Sequence, residues 1–273
     1  MTSSSPPTRR DTGTGTLLTD VIGDVAVVTF NNPGRRNALS GEMRAALPGV
    51  LEALQADSAV RVVLLTGAGD KAFISGADIS EFAERRTTSA ARAEYDQGWA
   101  ALNRAWGSLD KPVIAMIRGF CLGAGLLVAL QADIRIASTD SQFGIPAARL
   151  GLAPGFAGVD TLVNLVGPAW AAEVLFTARR FPASEALRMG LVNRVVPAVD
   201  LLDEAMGLAR GIARNAPLTV AAAKAAIRAA GQPPDRRDMA RVEAMIEACF
   251  TSDDYREGQR AFAEKRPPHF TGR

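Results

Sequence analysis

A chain of 273 residues with 48% hydrophobic content can bury a large core, and it is long for one domain but short for two. Its net charge of +2 is too small to imply a nucleic-acid surface, and its one histidine excludes a multi-histidine metal site. The longest apolar run, about Leu122 to Leu130, falls far below the roughly 20 residues that a membrane span requires, so a soluble protein is expected.

In chain order, residues 1–16 (MTSSSPPTRRDTGTGT) are dominated by Ser, Thr, Pro and Gly without an apolar block. They read as a disordered tail and not as a secretory signal. Leu17–Ile22 and Val25–Phe30 flank Gly23-Asp24 and predict a hairpin, followed by a helix over Gly41–Ala56 with apolar residues at helical spacing. Strands are expected at 61–66, 113–118 and 133–137, alternating with helices near 88–107 and 123–131. That alternation implies an α/β protein with a parallel-rich sheet and crossover helices. Tyr95, Trp99 and Trp106 recur at helical spacing on the 88–107 helix, as a core stripe or an apolar wall. From Pro168 onward the pattern is helical almost throughout, with helix starts at Pro168, Ala183 and Pro217 and a break at 231–234. The organisation is therefore a core domain over 17–200 and a C-terminal helical region over 201–273.

Two segments carry chemistry. Lys71 to Phe82 (KAFISGADISEF) and Gly119 to Leu130 (GFCLGAGLLVAL) each place a turn of small residues at the start of a helix, and each follows a buried strand. The lack of bulk at Gly76, Ala77, Gly123, Ala124 and Gly125 lets a ligand touch main chain, where helix N-termini add positive potential. Two such turns can offer two amides to one oxygen, which is how an oxyanion hole is made. Other chemistries lack support. Cys121 and Cys249 have no metal or redox spacing, and Cys121 reads as a small buried hydrophobe. His269 follows two prolines near the chain end, a poor place for a Ser-His-Asp triad. Neither a Gly-x-Gly-x-x-Gly fingerprint nor a nucleotide-hydrolase phosphate loop is present.

Further landmarks are Asn32-Pro33, Arg36-Asn37-Ala38-Leu39, SGADI at 75–79, FGIP at 143–146, the segment 167–197, and EGQRAFAEKRPPHF at 257–270. Taken in order from about Leu17 to the C-terminus, this set resembles the crotonase superfamily, the enoyl-CoA hydratase/isomerase family. The resemblance implies a spiral of stacked ββα turns with a C-terminal helical region that supports trimers, often paired as hexamers. It also implies a cytoplasmic enzyme of fatty-acid or related acyl-CoA metabolism, a lyase or isomerase. Coenzyme A arrives as part of the thioester substrate, with no metal and no permanently bound cofactor.

Carried over position by position, the resemblance assigns the oxyanion donors to the N–H groups of Ala77 and Ala124, the latter replacing a usual glycine. It assigns coenzyme A contacts to Arg36, Ala38, Leu39, Ser75, Ala77, Asp78, Ile79 and Ser80. Phe262 and Lys265 match a C-terminal aromatic and lysine that reach coenzyme A, often from the adjacent subunit. The chain departs from the family at Leu127 and Ala147, where hydratases carry the two glutamates that move protons. An acid or base is generally worth about 10² to 10⁴ in rate, so efficient hydration by that route is not expected. Asp160 is a substitute candidate or a helix cap; Glu81 and Glu84 face the pocket mouth or solvent. Three readings stay open: an acyl-CoA enzyme with unusual acid/base groups; a non-catalytic acyl-CoA-binding carrier, sensor or lipid-synthesis partner; and thioester hydrolysis or decarboxylation.

Overall fold

The computed structural model describes residues 8–10, 12–78 and 89–273. A short strand β1 (Thr8–Arg10) pairs with β2 (Leu17–Ile22), which forms the expected hairpin with β3 (Val25–Phe30). Structure thus begins before residue 17: the Arg9 side chain meets Asp20 and Arg10 meets Asp57, so part of the segment expected to be disordered is tied to the sheet edge. Then follow α1 (Gly41–Ala56), β4 (Val62–Gly67), β5 (Ala72–Ile74), α2 (Ser89–Ser108), β6 (Val113–Ile117), β7 (Phe120–Leu122) and α3 (Ala124–Ala129). The remainder comprises β8 (Ile134–Ser138), β9 (Gln142–Gly144), α4 (Phe156–Thr177), β10 (Phe181–Pro182), α5 (Ala183–Arg188) and β11 (Arg194–Val196). It closes with α6 (Leu201–Ala213), α7 (Pro217–Ala230), α8 (Met239–Thr251) and α9 (Asp253–Ala263).

The large sheet has the order β1-β2-β3-β4-β6-β8-β11 and is parallel from β3 to β11. Its central strands read as unbroken apolar runs because both faces are covered. Val63 and Leu65 face the main core with Met43, Leu47 and Leu51 of α1, while Val62 and Leu64 face Ala205, Met206 and Ala209 of α6. On the 88–107 helix the aromatic stripe is a packing feature: Trp106 is buried in the core, Trp99 packs against it, and Tyr95 meets Trp99 edge-on and the Arg44 guanidinium at 4.3 Å.

A second sheet, ordered β10-β9-β7-β5, was not expected from the sequence. Its strands have two or three residues and sit inside segments that read as turns. β10 and β11 likewise interrupt a region expected to be almost wholly helical. In this sheet Ile74 pairs with Cys121, Cys121 with Phe143, and Leu122 with Gly144. Three parallel strands therefore end side by side, and the loops leaving them are neighbours.

One helix among the described residues, α4, is long and apolar enough by length and composition to cross a membrane, a longer stretch than the run near Leu122. It is interrupted at Gly167 (φ 78°, ψ 163°), directly before Pro168. Neither piece spans more than about 17 Å at 1.5 Å per residue, against a hydrocarbon thickness of about 30 Å. Leu162, Val166, Ala171 and Val174 turn inward from the two pieces.

The C-terminal helices are fastened by buried charges. Lys224 of α7, 6% exposed, donates to the Lys111 carbonyl and to Asp133 Oδ2, each at 2.7 Å. The last residues fold back over α9, where buried Asp254 accepts from the amides of Thr271 (2.6 Å) and Gly272 (2.8 Å). Glu257 binds Arg260 and Arg266 and accepts from the His269 amide at 3.0 Å.

Candidate active site

The two small-residue turns meet at the C-terminal ends of β5 and β7. Gly76 has φ 136° and Gly123 has φ 51°, ψ −117°, conformations that L side chains rarely adopt. A Cβ placed on Gly123 would lie 3.9 Å from both Gly76 Cα and Pro146 Cδ, so the turns after β5, β7 and β9 touch. The Gly123 amide is held by the Gly144 carbonyl at 2.8 Å, which fixes the second turn on the third.

The backbone around Ala77 is bracketed by one residue. Leu39 donates its amide to the Gly76 carbonyl at 2.8 Å, and its carbonyl accepts from the Asp78 amide at 3.0 Å. A parallel bridge with Leu39 leaves the Ala77 peptide facing away, and among the described residues no acceptor takes its N–H. Ala124 opens α3, where the first amides have no partner inside the helix, and again no described acceptor takes its N–H. Neither alanine has positive φ, so the methyl at Ala124 is accommodated without backbone strain.

One turn into α3, Leu127 is partly buried and packs against the core, as does Ala147 just after Pro146. The Leu127 side chain fills space left by Gly158 in the first turn of α4. Asp160 lies on an exposed face of α4 and accepts from Asn164 Nδ2 at 3.3 Å; the helix is capped by Gly155 instead.

The residues assigned to coenzyme A separate into groups. Ala38 and Leu39 are buried, and Ser75 leans on the 35–36 segment, its amide donating to the Arg36 carbonyl (3.2 Å) and its hydroxyl to the Arg35 carbonyl (3.3 Å). Asp78 forms an ion pair with Arg35 at 2.7 Å. The Arg36 guanidinium lies over the Phe120 ring at 5.4 Å, and Arg180 lies over the same ring at 5.2 Å. Arg36 lines a shallow groove with Lys71 and Gln142, at the starting ends of the short strands and opposite the Ala77 and Ala124 turns. Phe262 is 88% exposed on the last turn of α9, and Lys265 is exposed just beyond it. Ile79, Ser80, Glu81 and Glu84 lie outside the described residues.

Cys121 is fully buried in β7, and burial pushes its thiol well above the usual range, as for a packing residue. Among the described residues no group of three or more His, Cys, Asp or Glu gathers at a spacing that suits a metal ion.

Sequence reasoning left Asn37 as a landmark only. It is 1% exposed, with φ 55°, and its side chain makes three hydrogen bonds beside the bracketed strand. The available signal was an asparagine inside a tight Pro-Gly-Arg-Arg loop, because Asn is among the few residues that tolerate left-handed backbone.

Comparison with known proteins agrees with this geometry along nearly the whole chain. Residues 21–273 match the family described as enoyl-CoA hydratase/isomerase. The short-chain-enoyl-CoA hydratase of Clostridium acetobutylicum is 41% identical over 250 residues, covering 92% of this chain and 95% of the relative. The crotonyl-CoA hydratase of Syntrophomonas wolfei is 38% identical over 246 residues, covering 90% and 94%. A crystal structure of an enoyl-CoA hydratase/carnithine racemase from Magnetospirillum magneticum superposes with a TM-score of 0.89 at 34% identity, covering 95% of this chain and 97% of the other. With matches of this length and identity joined to the paired sheets and converging turns, the chain belongs to the enoyl-CoA hydratase/isomerase family, the crotonase superfamily.

Proposed function

We infer that the protein acts on acyl-CoA thioesters and that its central device is a main-chain oxyanion hole formed by the amides of Ala77 and Ala124. The observation that carries this reading is the convergence of two turns whose leading amides have no acceptor among the described residues. A thioester carbonyl placed between them gains negative charge when a neighbouring carbon is deprotonated or a nucleophile adds to a conjugated double bond. One such donor contributes about 2.7–4 kcal/mol to a transition state, and backbone amides need no reorganisation as charge develops. Relatives named as short-chain and crotonyl-CoA hydratases make a short 2-enoyl-CoA the first substrate class to test.

Leu127 and Ala147 stand where the family's hydratases carry glutamates, and neither can transfer a proton. Enolate stabilisation is therefore the activity this site supports best, with hydration by two carboxylates removed. The same two residues favour a second reading, acyl-CoA binding without turnover. Coenzyme A enters only as the substrate's handle. Its contacts are assigned to the 36–39 and 75–80 segments and, across a trimer or hexamer interface, to Phe262 and Lys265 of a neighbouring copy. We place the protein in the cytoplasm, with a core over 17–200 and a helical region over 201–273, whose first helix α6 closes the back of the large sheet.

Steady-state hydration of crotonyl-CoA run beside a direct acyl-CoA titration tests both readings. Binding with turnover supports the enzyme, binding without turnover supports the carrier, and absence of binding rejects both.

A further inference from the structure

We propose that Asn37, together with the Arg35–Asp78 ion pair, is a positioning residue that sets the direction of the Ala77 amide; the proposal rests on the oxyanion reading above. Asn37 does not reach the ligand site itself. Its Nδ2 donates to the carbonyls of Ala68 (2.9 Å) and Ala72 (2.7 Å), and its Oδ1 accepts from the Asn32 amide at 3.0 Å. Ala72 opens β5 and Ala68 follows β4, so one buried side chain ties the 32–39 loop to both ends of the β4–β5 connection. Two residues further on, Leu39 grips Gly76 and Asp78 on either side of Ala77. The segment 72–78, which runs from β5 to the proposed oxyanion donor, is therefore held at its start by Asn37 and at its end by Leu39, two points on one loop.

The backbone makes the loop specific. Arg36 (φ 52°) and Asn37 (φ 55°) are consecutive left-handed residues, a conformation that is unfavourable for an L-residue. Three side-chain hydrogen bonds in a buried setting offset that cost, and they leave no polar group of Asn37 unused for register. Arg35 adds a third anchor: its guanidinium pairs with Asp78 at 2.7 Å, and Asp78 directly follows Ala77. A misplacement of about 1 Å at a reacting centre can cost about 10²-fold in rate, so anchors this near the donor act on chemistry and not only on folding.

The test reads carbonyl polarisation directly. A push–pull chromophore, 4-(dimethylamino)cinnamoyl-CoA, absorbs at longer wavelength when its thioester oxygen receives strong hydrogen bonds, and at saturation that shift is independent of affinity. Asn37→Gly keeps the left-handed backbone while deleting the three side-chain bonds; Arg35→Gln removes the exposed half of the ion pair without touching the core. The expected result is a clear red shift in the wild type, a shift at least halved in Asn37→Gly, and a smaller loss in Arg35→Gln. No shift in a wild type that binds the probe rejects the oxyanion reading itself. A full shift in a folded Asn37→Gly variant, even one with lowered thermal stability, overturns the positioning role. Should Asn37→Gly fail to fold, Arg35→Gln decides: a reduced shift supports the proposal and an unchanged one overturns it.

Discussion

Leu127 Cδ2 lies 2.7 Å from the point where a Cβ on Gly158 would stand, so the side chain of one residue occupies the volume left by the absence of the other. The first turn of α4 thereby packs directly on the Leu127 side chain, one turn into α3. Gly158→Ala is expected to rotate the leucine toward the acyl site and to destabilise the protein by about 1–3 kcal/mol through overpacking. Thermal unfolding together with titration of short and longer acyl-CoAs measures both effects, and the longer chain should lose more affinity.

The double substitution Leu127→Glu and Ala147→Glu should create or raise hydration of a short enoyl-CoA. On the proposed reading the amides of Ala77 and Ala124 favour the enolate, and the two substitutions supply the groups for proton transfer. Because both carboxylates must hold one water, the gain should exceed the product of the two single-variant gains. Burial raises carboxylate pKa values, so rates are to be followed as a function of pH with folding and binding measured in parallel. A wild type that already turns over crotonyl-CoA at ordinary enzyme rates contradicts the premise.

Lys265→Ala tests the coenzyme A contact assigned to the C-terminal segment. Lys265 has φ 53°, and alanine carries the same backbone cost there, so the substitution isolates the charge. Affinity for acyl-CoA should fall several-fold at low ionic strength, with the difference shrinking as salt is added. Equal affinities at low salt reject the contact.

Glu257 is held below the usual carboxylate range by hydrogen bonds from Arg266 and Arg260 and by the His269 amide. In the unfolded chain a glutamate titrates at about 4.3. Its stabilising contribution is therefore present above that pH and is lost as pH falls further and the folded carboxylate is protonated. Limited proteolysis should release the segment after Ala263 first as the solution is acidified. Glu257→Gln should show that release already at neutral pH.

Burial pushes the Lys224 ammonium down to about 8, with Asp133 acting against the shift. The unfolded lysine keeps its proton to about 10.4, so between those values the unfolded state binds more protons and stability rises with pH. The expected gain across the window is about 3 kcal/mol. Urea unfolding of wild type against Lys224→Met, at several pH values from 7 to 10, should show the rise in the first and its absence in the second.

Most of what a single chain segment can encode was legible in the residues. The hairpin, the helix over Gly41–Ala56 and the long parallel strands carry apolar periodicity or unbroken apolar runs. The small residues of the two turns mark close approaches of the chain, and at Gly125 the approach is to protein and not to a ligand: a Cβ there would stand 2.1 Å from the Ile74 carbonyl oxygen. What only the tertiary structure decided is which of these segments stand together. The strands β5, β7 and β9 have three residues each, too few for any periodicity, and exist because they pair with one another. That pairing brings Gly76, Gly123 and Pro146 together and makes three separate loops neighbours in the candidate site. The same holds for Asn37: in sequence it is one polar residue among several in a turn. Its role as an anchor arises from the carbonyls of Ala68 and Ala72, more than thirty positions away, which only a folded chain can place within hydrogen-bond distance of its amide.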